Sequence, residues 1–198
     1  MSDQLAGITR GTFIARSALT AAALSGVAPA VARAHAKHTS FGAGDAAIVN
    51  FALTLEKVEA DFYKRALAVK DLDEKARKLL EGISKDEAAH VEQLSQTLQQ
   101  LGGKADPAPQ PNFPELSGQG RVLNLAIGLE TTAVAAYNGA ATQVQSTDLL
   151  QAIASIAQVE ARHAGALREL AGQDATSGAF DEVLSGEEAD AAVHQRTL

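Results

Sequence analysis

The chain has 198 residues, 46% of them hydrophobic, which is enough to build the core of one domain of ordinary size. It carries a formal net charge of -7 and contains no run of lysines and arginines, which excludes the basic surfaces that bind nucleic acids or anionic membranes. Because it has no cysteine, a disulfide framework and a thiolate metal site are excluded as well.

Residues 1–36 are predicted to be a signal peptide that is removed from the mature protein. Two arginines lead into an alanine-rich apolar run over residues 17–31, and the small residues at 32–36 fit a small-x-small cleavage site. The run is too short and too weakly apolar for a membrane span. Residues 9–14 resemble the twin-arginine export motif, but Gly11 stands where the second arginine belongs, so the twin-arginine and Sec routes both stay open. By either route, the sequence predicts a periplasmic or extracellular protein.

Four long helical patterns follow, in which apolar residues recur at steps of three and four. Frequent alanine also favours helices over strands. The mature domain is predicted over residues 37–172, followed by an acidic tail over 173–198. The helices are predicted over 45–69, 73–101, 118–144 and 146–171, and a short fifth helix over 181–194.

A proline-rich segment separates the second helix from the third. It runs from Gly102 to Ser117 and contains four of the five prolines of the chain. Such a segment is extended and reaches roughly 50 Å, whereas a helix of about 27 residues is about 40 Å long. It can therefore run the length of a bundle, while the two short joints make their helices antiparallel neighbours. The sequence predicts an all-α four-helix bundle with one long crossover between helices 2 and 3.

Polar residues interrupt the apolar stripe of every helix. The second and fourth helices each carry a glutamate with a histidine three residues later. The first and third each carry a glutamate with a tyrosine seven residues later. Both spacings keep a pair on one helical face. The four pairs are Glu87 with His90, Glu160 with His163, Glu56 with Tyr63, and Glu130 with Tyr137.

The two halves of the bundle align with each other. Glu56 and Glu130 are 74 positions apart, and Glu87 and Glu160 are 73 positions apart, as expected for a duplicated helix pair. One Glu-x-x-His alone is a weak signal and usually marks a solvated face. Both copies, in register with both Glu–Tyr pairs, predict a buried metal centre instead.

The charges of this set fit two divalent cations. Four carboxylates facing one core would repel each other and lose their solvation, and a total charge of +4 would neutralise them. Glutamate and histidine ligands without thiolate suit iron, manganese or zinc. A Glu from each of two helices and a Glu-x-x-His from each of the other two is the pattern already described for ferritin-like carboxylate proteins.

At these residues the chain resembles the ferritin-like superfamily, which includes bacterioferritins and rubrerythrins, over about residues 45–171. Segments 50–56, 60–63 and 159–163 are most similar to the branch that includes the desiccation-related proteins. The resemblance implies a di-metal centre, with iron as the expected metal. It implies Glu56 and Glu130 as terminal ligands, Glu87 and Glu160 as bridging ligands, and His90 and His163 as ligands of one ion each.

Further residues are expected to orient these ligands. Members of the superfamily often carry an acid just before Glu-x-x-His. Asp86 keeps this acid on the second helix, but Val159 replaces it on the fourth, so at most one histidine has such support. Glu59 is an alternative to Glu56, because it lies one turn away on the same helix. Glu56 is favoured, because Glu130 repeats its spacing of seven to a tyrosine.

The tyrosines are predicted to bond across the bundle. The long crossover makes the first and third helices antiparallel, and helical side chains lean toward their own N-terminus. Tyr63 is therefore expected to donate to Glu130, and Tyr137 to Glu56, since a buried phenol needs a partner. The alternative is two core aromatics whose hydroxyls reach water at the ends of the bundle.

Two functions stay open at this point. One is a di-iron protein that oxidises Fe(II) with oxygen or peroxide, with a di-manganese catalase-like site as a variant. The other is a non-catalytic exported bundle with a structural role in stress or desiccation. The expected partners are metal ions and oxygen or peroxide, without nucleic acid or a membrane span in the mature protein. Cages, dimers and monomers are all compatible with the resemblance.

Overall fold

The computed structural model describes residues 41–107, 109–176 and 178–194, and within them it contains five α-helices and no β-strand. The predicted all-α bundle with a short fifth helix is confirmed. None of the described helices is long and apolar enough to cross a membrane. The predicted signal peptide lies outside the described residues. The helices are α1 Gly44–Ala66, α2 Glu74–Gln100, α3 Gln119–Ala141, α4 Thr147–Leu170 and α5 Gly186–His194.

Side-chain caps fix where α2 and α4 begin. Asp73 accepts a 2.8 Å hydrogen bond from the backbone of Ala76 at the start of α2, and Ser146 caps α4 in the same way. Asp45, in the first turn of α1, accepts from the backbone nitrogens of Gln145 and Ser146, both at 2.8 Å. The starts of α1 and α4 therefore lie at the same end of the bundle.

Three predicted helix boundaries are wrong by several residues. Helix α1 ends at Ala66 instead of residue 69, because Arg77 of α2 donates to the carbonyls of Leu67 and Val69 at 3.0 and 3.1 Å. Helix α3 ends at Ala141 instead of residue 144.

Helix α5 begins at Gly186 instead of residue 181, because Ser185 and Glu188 form a reciprocal capping box. The Ser-x-x-Glu spacing of this capping box is present in the sequence and could have predicted where α5 begins.

The crossover runs along α1, as its length predicted. Near the start of α1, Asn50 donates to the carboxylate of Asp106 at 2.6 Å and accepts from its backbone nitrogen at 3.0 Å. Near the end of α1, the ring of Phe113 packs edge-on against Phe62 with 5.3 Å between centroids. Each helix packs most extensively within its own hairpin, α1 with α2 and α3 with α4, and the hairpins meet along α1–α3 and α2–α4.

The C-terminal tail packs on the outer face of α3. The backbone nitrogen of Leu184 donates to the carbonyl of Ala135 at 3.0 Å, and Asn138 donates to the carbonyl of Glu182 at 3.3 Å. Gly139 permits this approach, because a Cβ at that position would lie 1.8 Å from the carbonyl oxygen of Leu184. Ala189 of α5 is completely buried, so the tail covers part of the bundle.

Candidate metal centre

Five glutamates are completely buried in the core of the bundle. All six residues predicted as ligands come together there, four of these glutamates with the two histidines. The side chains of His90 and His163 are 12% and 8% exposed, so the imidazoles are the part of the cluster nearest to solvent. The buried glutamates are Glu56, Glu59, Glu87, Glu130 and Glu160.

The first group of donor atoms surrounds His90. Its Nδ1 atom lies 3.2 Å from Oε2 of Glu56, 3.1 Å from Oε2 of Glu87 and 3.0 Å from Oε1 of Glu160. The ligand atoms that these four residues offer lie within 4.8 Å of one another. This group is called the His90 position below.

The second group surrounds His163 and is called the His163 position. Its Nδ1 atom lies 3.1 Å from Oε1 of Glu87, 3.3 Å from Oε2 of Glu130 and 3.4 Å from Oε2 of Glu160. Glu87 and Glu160 thus direct one oxygen to each histidine, whereas Glu56 approaches only His90 and Glu130 only His163. Two bridging and two terminal carboxylates would be divided in this way, and the roles that the resemblance implies stay predictions.

The donor atoms of this cluster are arranged better for binding metal ions than for hydrogen bonding with one another. A single imidazole N–H cannot serve three carboxylate oxygens, yet each Nδ1 faces three. At the His163 position, Nδ1 and the three facing oxygens all lack a partner in hydrogen-bond geometry. Buried polar atoms are normally paired, and one cation in each group would satisfy them. Oxygen and imidazole donors together suit iron, manganese and zinc.

In the absence of metal, bound protons would offset part of the negative charge of the cluster. Burial raises the pKa of Glu56 to about 8 and that of Glu130 well above its usual range. Burial alone would lower the pKa of the two histidines, but the close carboxylates stabilise the protonated rings, outweigh burial and raise the pKa of both to about 12. Burial would raise the pKa of Glu160, but its contacts with both histidines lower it to about 2. Metal ions would therefore have to displace protons on binding.

Both tyrosines make the predicted bonds across the bundle. The hydroxyl of Tyr63 donates to Oε1 of Glu130, and that of Tyr137 donates to Oε1 of Glu56. Burial, reinforced by the neighbouring carboxylates, raises the pKa of both phenols, so they remain protonated donors. The cross-pairing is confirmed, and the alternative in which the hydroxyls reach water is wrong.

Asp86 contacts one of the two histidines. Its Oδ2 atom lies 3.1 Å from Nε2 of His163, on the opposite helix, and not beside the histidine of its own motif. A carboxylate in this place fixes the orientation of the ring and leaves Nδ1 facing the cluster. On α4 the corresponding residue is Val159, which offers no such contact.

Glu59 is the residue that sequence reasoning undervalued, because it was considered only as a substitute for Glu56. The structure buries both, and neither carboxylate oxygen of Glu59 has a hydrogen-bond partner. Its spacing of three from Glu56 placed it on the same helical face and was a usable signal. The internal repeat concealed it, because the corresponding residue of α3 is Ala133.

Comparisons with known proteins agree with this architecture. The sequence profile of a family described as a ferritin-like domain matches residues 44–173, which span α1 to α4. The crystal structure of a hypothetical protein from Methanococcus jannaschii is similar, with a TM-score of 0.55 and 13% sequence identity. The alignment covers 82% of this chain and 100% of that one, and at this identity it shows the fold alone. No curated protein gives a significant match to the sequence.

Proposed function

The chain belongs to the ferritin-like domain family, and from this premise we propose that its bundle holds two iron ions and catalyses the oxidation of Fe(II) by oxygen or peroxide. The observation that carries the proposal is the donor arrangement: each imidazole Nδ1 faces three carboxylate oxygens, and Glu87 and Glu160 face both imidazoles. Four carboxylates balance two divalent ions.

Each residue of the cluster has a role in this proposal. Glu56 and His90 would hold one ion, Glu130 and His163 would hold the other, and Glu87 and Glu160 would bridge them. Iron, when bound, supplies the one-electron chemistry with oxygen that no side chain of this cluster possesses.

The rest of the site orients the ligands and limits access of water. Tyr63 and Tyr137 donate to the terminal carboxylates and fix which oxygen of each is free. Because the glutamates are completely buried while the histidine edges are slightly exposed, the side between α2 and α4 is the shortest approach for a small oxidant. We also propose that the mature protein acts outside the cytoplasm, on the basis of its N-terminal segment.

Metal analysis of protein purified from its native compartment tests the proposal. We expect two iron ions per chain, oxygen consumption that depends on added Fe(II), and a mature N-terminus near residues 35–37 in mass spectrometry. A variant with Glu87→Ala and Glu160→Ala is the control, and it should bind no iron and consume no oxygen.

Other outcomes separate the alternatives. Protein that binds no metal would contradict the proposal. Two bound ions without oxygen or peroxide consumption would favour the structural role in stress or desiccation, and two manganese ions with peroxide breakdown would favour the catalase-like variant. An intact Met1 or Ser2 terminus on most of the protein would contradict export.

A further inference from the structure

Glu59 is a buried carboxylate whose environment in the metal-free protein does not explain it. It lies on α1 between Glu56 and Tyr63, is completely buried, and has no hydrogen bond to either oxygen. Burial, reinforced by the charges of the neighbouring glutamates, raises the pKa of Glu59 well above its usual range. Burying an unpaired polar group costs free energy of folding, so we expect the Glu59 carboxylate to have a function.

The fold itself does not require an acid at this place. The repeat places Ala133 of α3 at the corresponding position, 74 residues later, and Ala133 is also completely buried. The two hairpins therefore pack an alanine and a glutamate at equivalent sites of the same core. The packing of the second hairpin shows that this part of the core can be built without an acid.

The neighbours of Glu59 assign it to one side of the centre. Glu130 is one of the carboxylates whose charge acts on Glu59, and Glu130 approaches only His163. Tyr63, one turn further along α1, donates to this same Glu130. Glu59 thus shares a face of α1 with Tyr63, whose hydroxyl reaches Glu130 of the His163 position, where all four facing donor atoms lack a hydrogen-bond partner.

We propose that Glu59 is a fifth acidic ligand of the centre, which binds the cation at the His163 position and makes the two metal positions unequal. The inference rests on the proposed two-metal function. Glu59 is not among the residues that already converge on either histidine, so its carboxylate would move toward the cation by rotation of its side chain. Its extra negative charge would make the His163 position the tighter of the two.

Cobalt(II) titration of the purified protein tests this, with calorimetry for the affinities and visible absorption for the coordination. We expect the wild type to bind two ions in two unequal steps. Glu59→Met keeps a side chain of similar length but removes the carboxylate, so it should still bind two ions, with the tighter step weakened on the order of 10- to 100-fold. The absorption band of the first ion should change with it. Glu59→Gln retains a neutral oxygen donor, so the affinity of its tighter step should lie between those of the wild type and Glu59→Met.

Asp61→Asn is the matched control, because Asp61 carries the same charge on the same helix but pairs with Arg65 at 2.6 Å. It should bind cobalt as the wild type does. In the metal-free state, Glu59→Met should melt higher by about 2–8 °C, since an unpaired buried acid has been removed. This rise would also show that the variant is folded.

The outcomes separate this inference from the proposed function. Wild-type affinities and an unchanged spectrum in Glu59→Met would overturn the role of Glu59 while leaving the two-metal centre in place. A lower melting temperature of Glu59→Met together with unchanged cobalt binding would mean that the glutamate serves packing, and would overturn it too. A wild-type protein that binds no cobalt would overturn the proposed function, and this inference with it.

Discussion

The two hairpins of the bundle supply the same ligands but differ in what surrounds them. Each hairpin contributes a Glu–Tyr pair and a Glu-x-x-His in the same register. The first hairpin also carries Glu59 and Asp86, where the second has Ala133 and Val159. Asp86 contacts His163 across the bundle, and Glu59 is proposed to act on the same side. Both hairpins contribute to each position, but the His163 position has an additional acid in Asp86, whereas the His90 position has only the residues of the repeat.

Under the proposed two-metal function, this difference gives a symmetric scaffold two distinct sites. The repeat determines where the ligands converge, because equal spacing on paired helices brings equivalent residues to one level. Under the proposal, single substitutions outside the repeated residues change one position without disturbing the other. Variants that equalise or exchange the two positions test this description.

The largest expected effect distinguishes bridging from terminal ligands. Glu87→Ala should abolish binding of both ions, because this residue directs an oxygen to each histidine. Glu56→Ala should remove one ion and leave the His163 position occupied. Elemental analysis of metal-loaded protein measures the stoichiometry, with Glu130→Ala as the mirror of Glu56→Ala. Loss of both ions in Glu56→Ala would show that the positions are not independent, and unchanged stoichiometry would mean that Glu59 takes the role assigned to Glu56.

A smaller effect on metal binding is expected from replacing Asp86, the acid that contacts His163. Asp86→Asn should weaken metal binding at the His163 position by about 10- to 100-fold and leave the His90 position unchanged, because only His163 loses a partner. The mirror variant Val159→Asp places an acid behind His90 and should tighten that position. Calorimetric titration with cobalt(II) resolves the two steps. Equal weakening of both steps in Asp86→Asn would contradict the comparison of the two hairpins.

The smallest difference between the hairpins is expected at the tyrosines. Tyr63→Phe and Tyr137→Phe each leave one buried carboxylate oxygen without its donor, at a cost of about 1–3 kcal/mol in the free energy of unfolding. Because the two bonds are equivalent in the repeat, both variants should lose the same amount. Denaturant unfolding of the metal-free proteins measures it. A clearly larger loss in one of them would show that the asymmetry extends to the tyrosines.

The features predicted correctly from the sequence are those that appear twice or follow from local geometry. The six clustered residues were recognisable because two weak motifs recur in register. The crossover was recognisable because proline-rich chain is extended. The bonds of Tyr63 and Tyr137 followed from the antiparallel course of α1 and α3.

The features that were missed depend on single residues or on distant partners. Glu59 has no counterpart in the repeat, so the pattern gave it no support. The end of α1 is set by Arg77, whose contact with the carbonyls of Leu67 and Val69 depends on how α2 packs. The partner of Asp86 also lies on another helix. The docking of the tail at Gly139 requires a contact with Leu184 that no local pattern reveals.

The proline-rich crossover also has a consequence for how the protein matures. Each hairpin closes through a short joint and can form early from local contacts, whereas docking of the two hairpins must close the long connection. Each hairpin brings two of the clustered glutamates together and docking adds the other two, so the full repulsion arises at docking, when a cation would relieve it. Folding and metal loading would then be one event, and the export route would determine which compartment supplies the ion. A chain exported already folded would carry metal from the cytoplasm, and a chain exported unfolded would take what its destination offers.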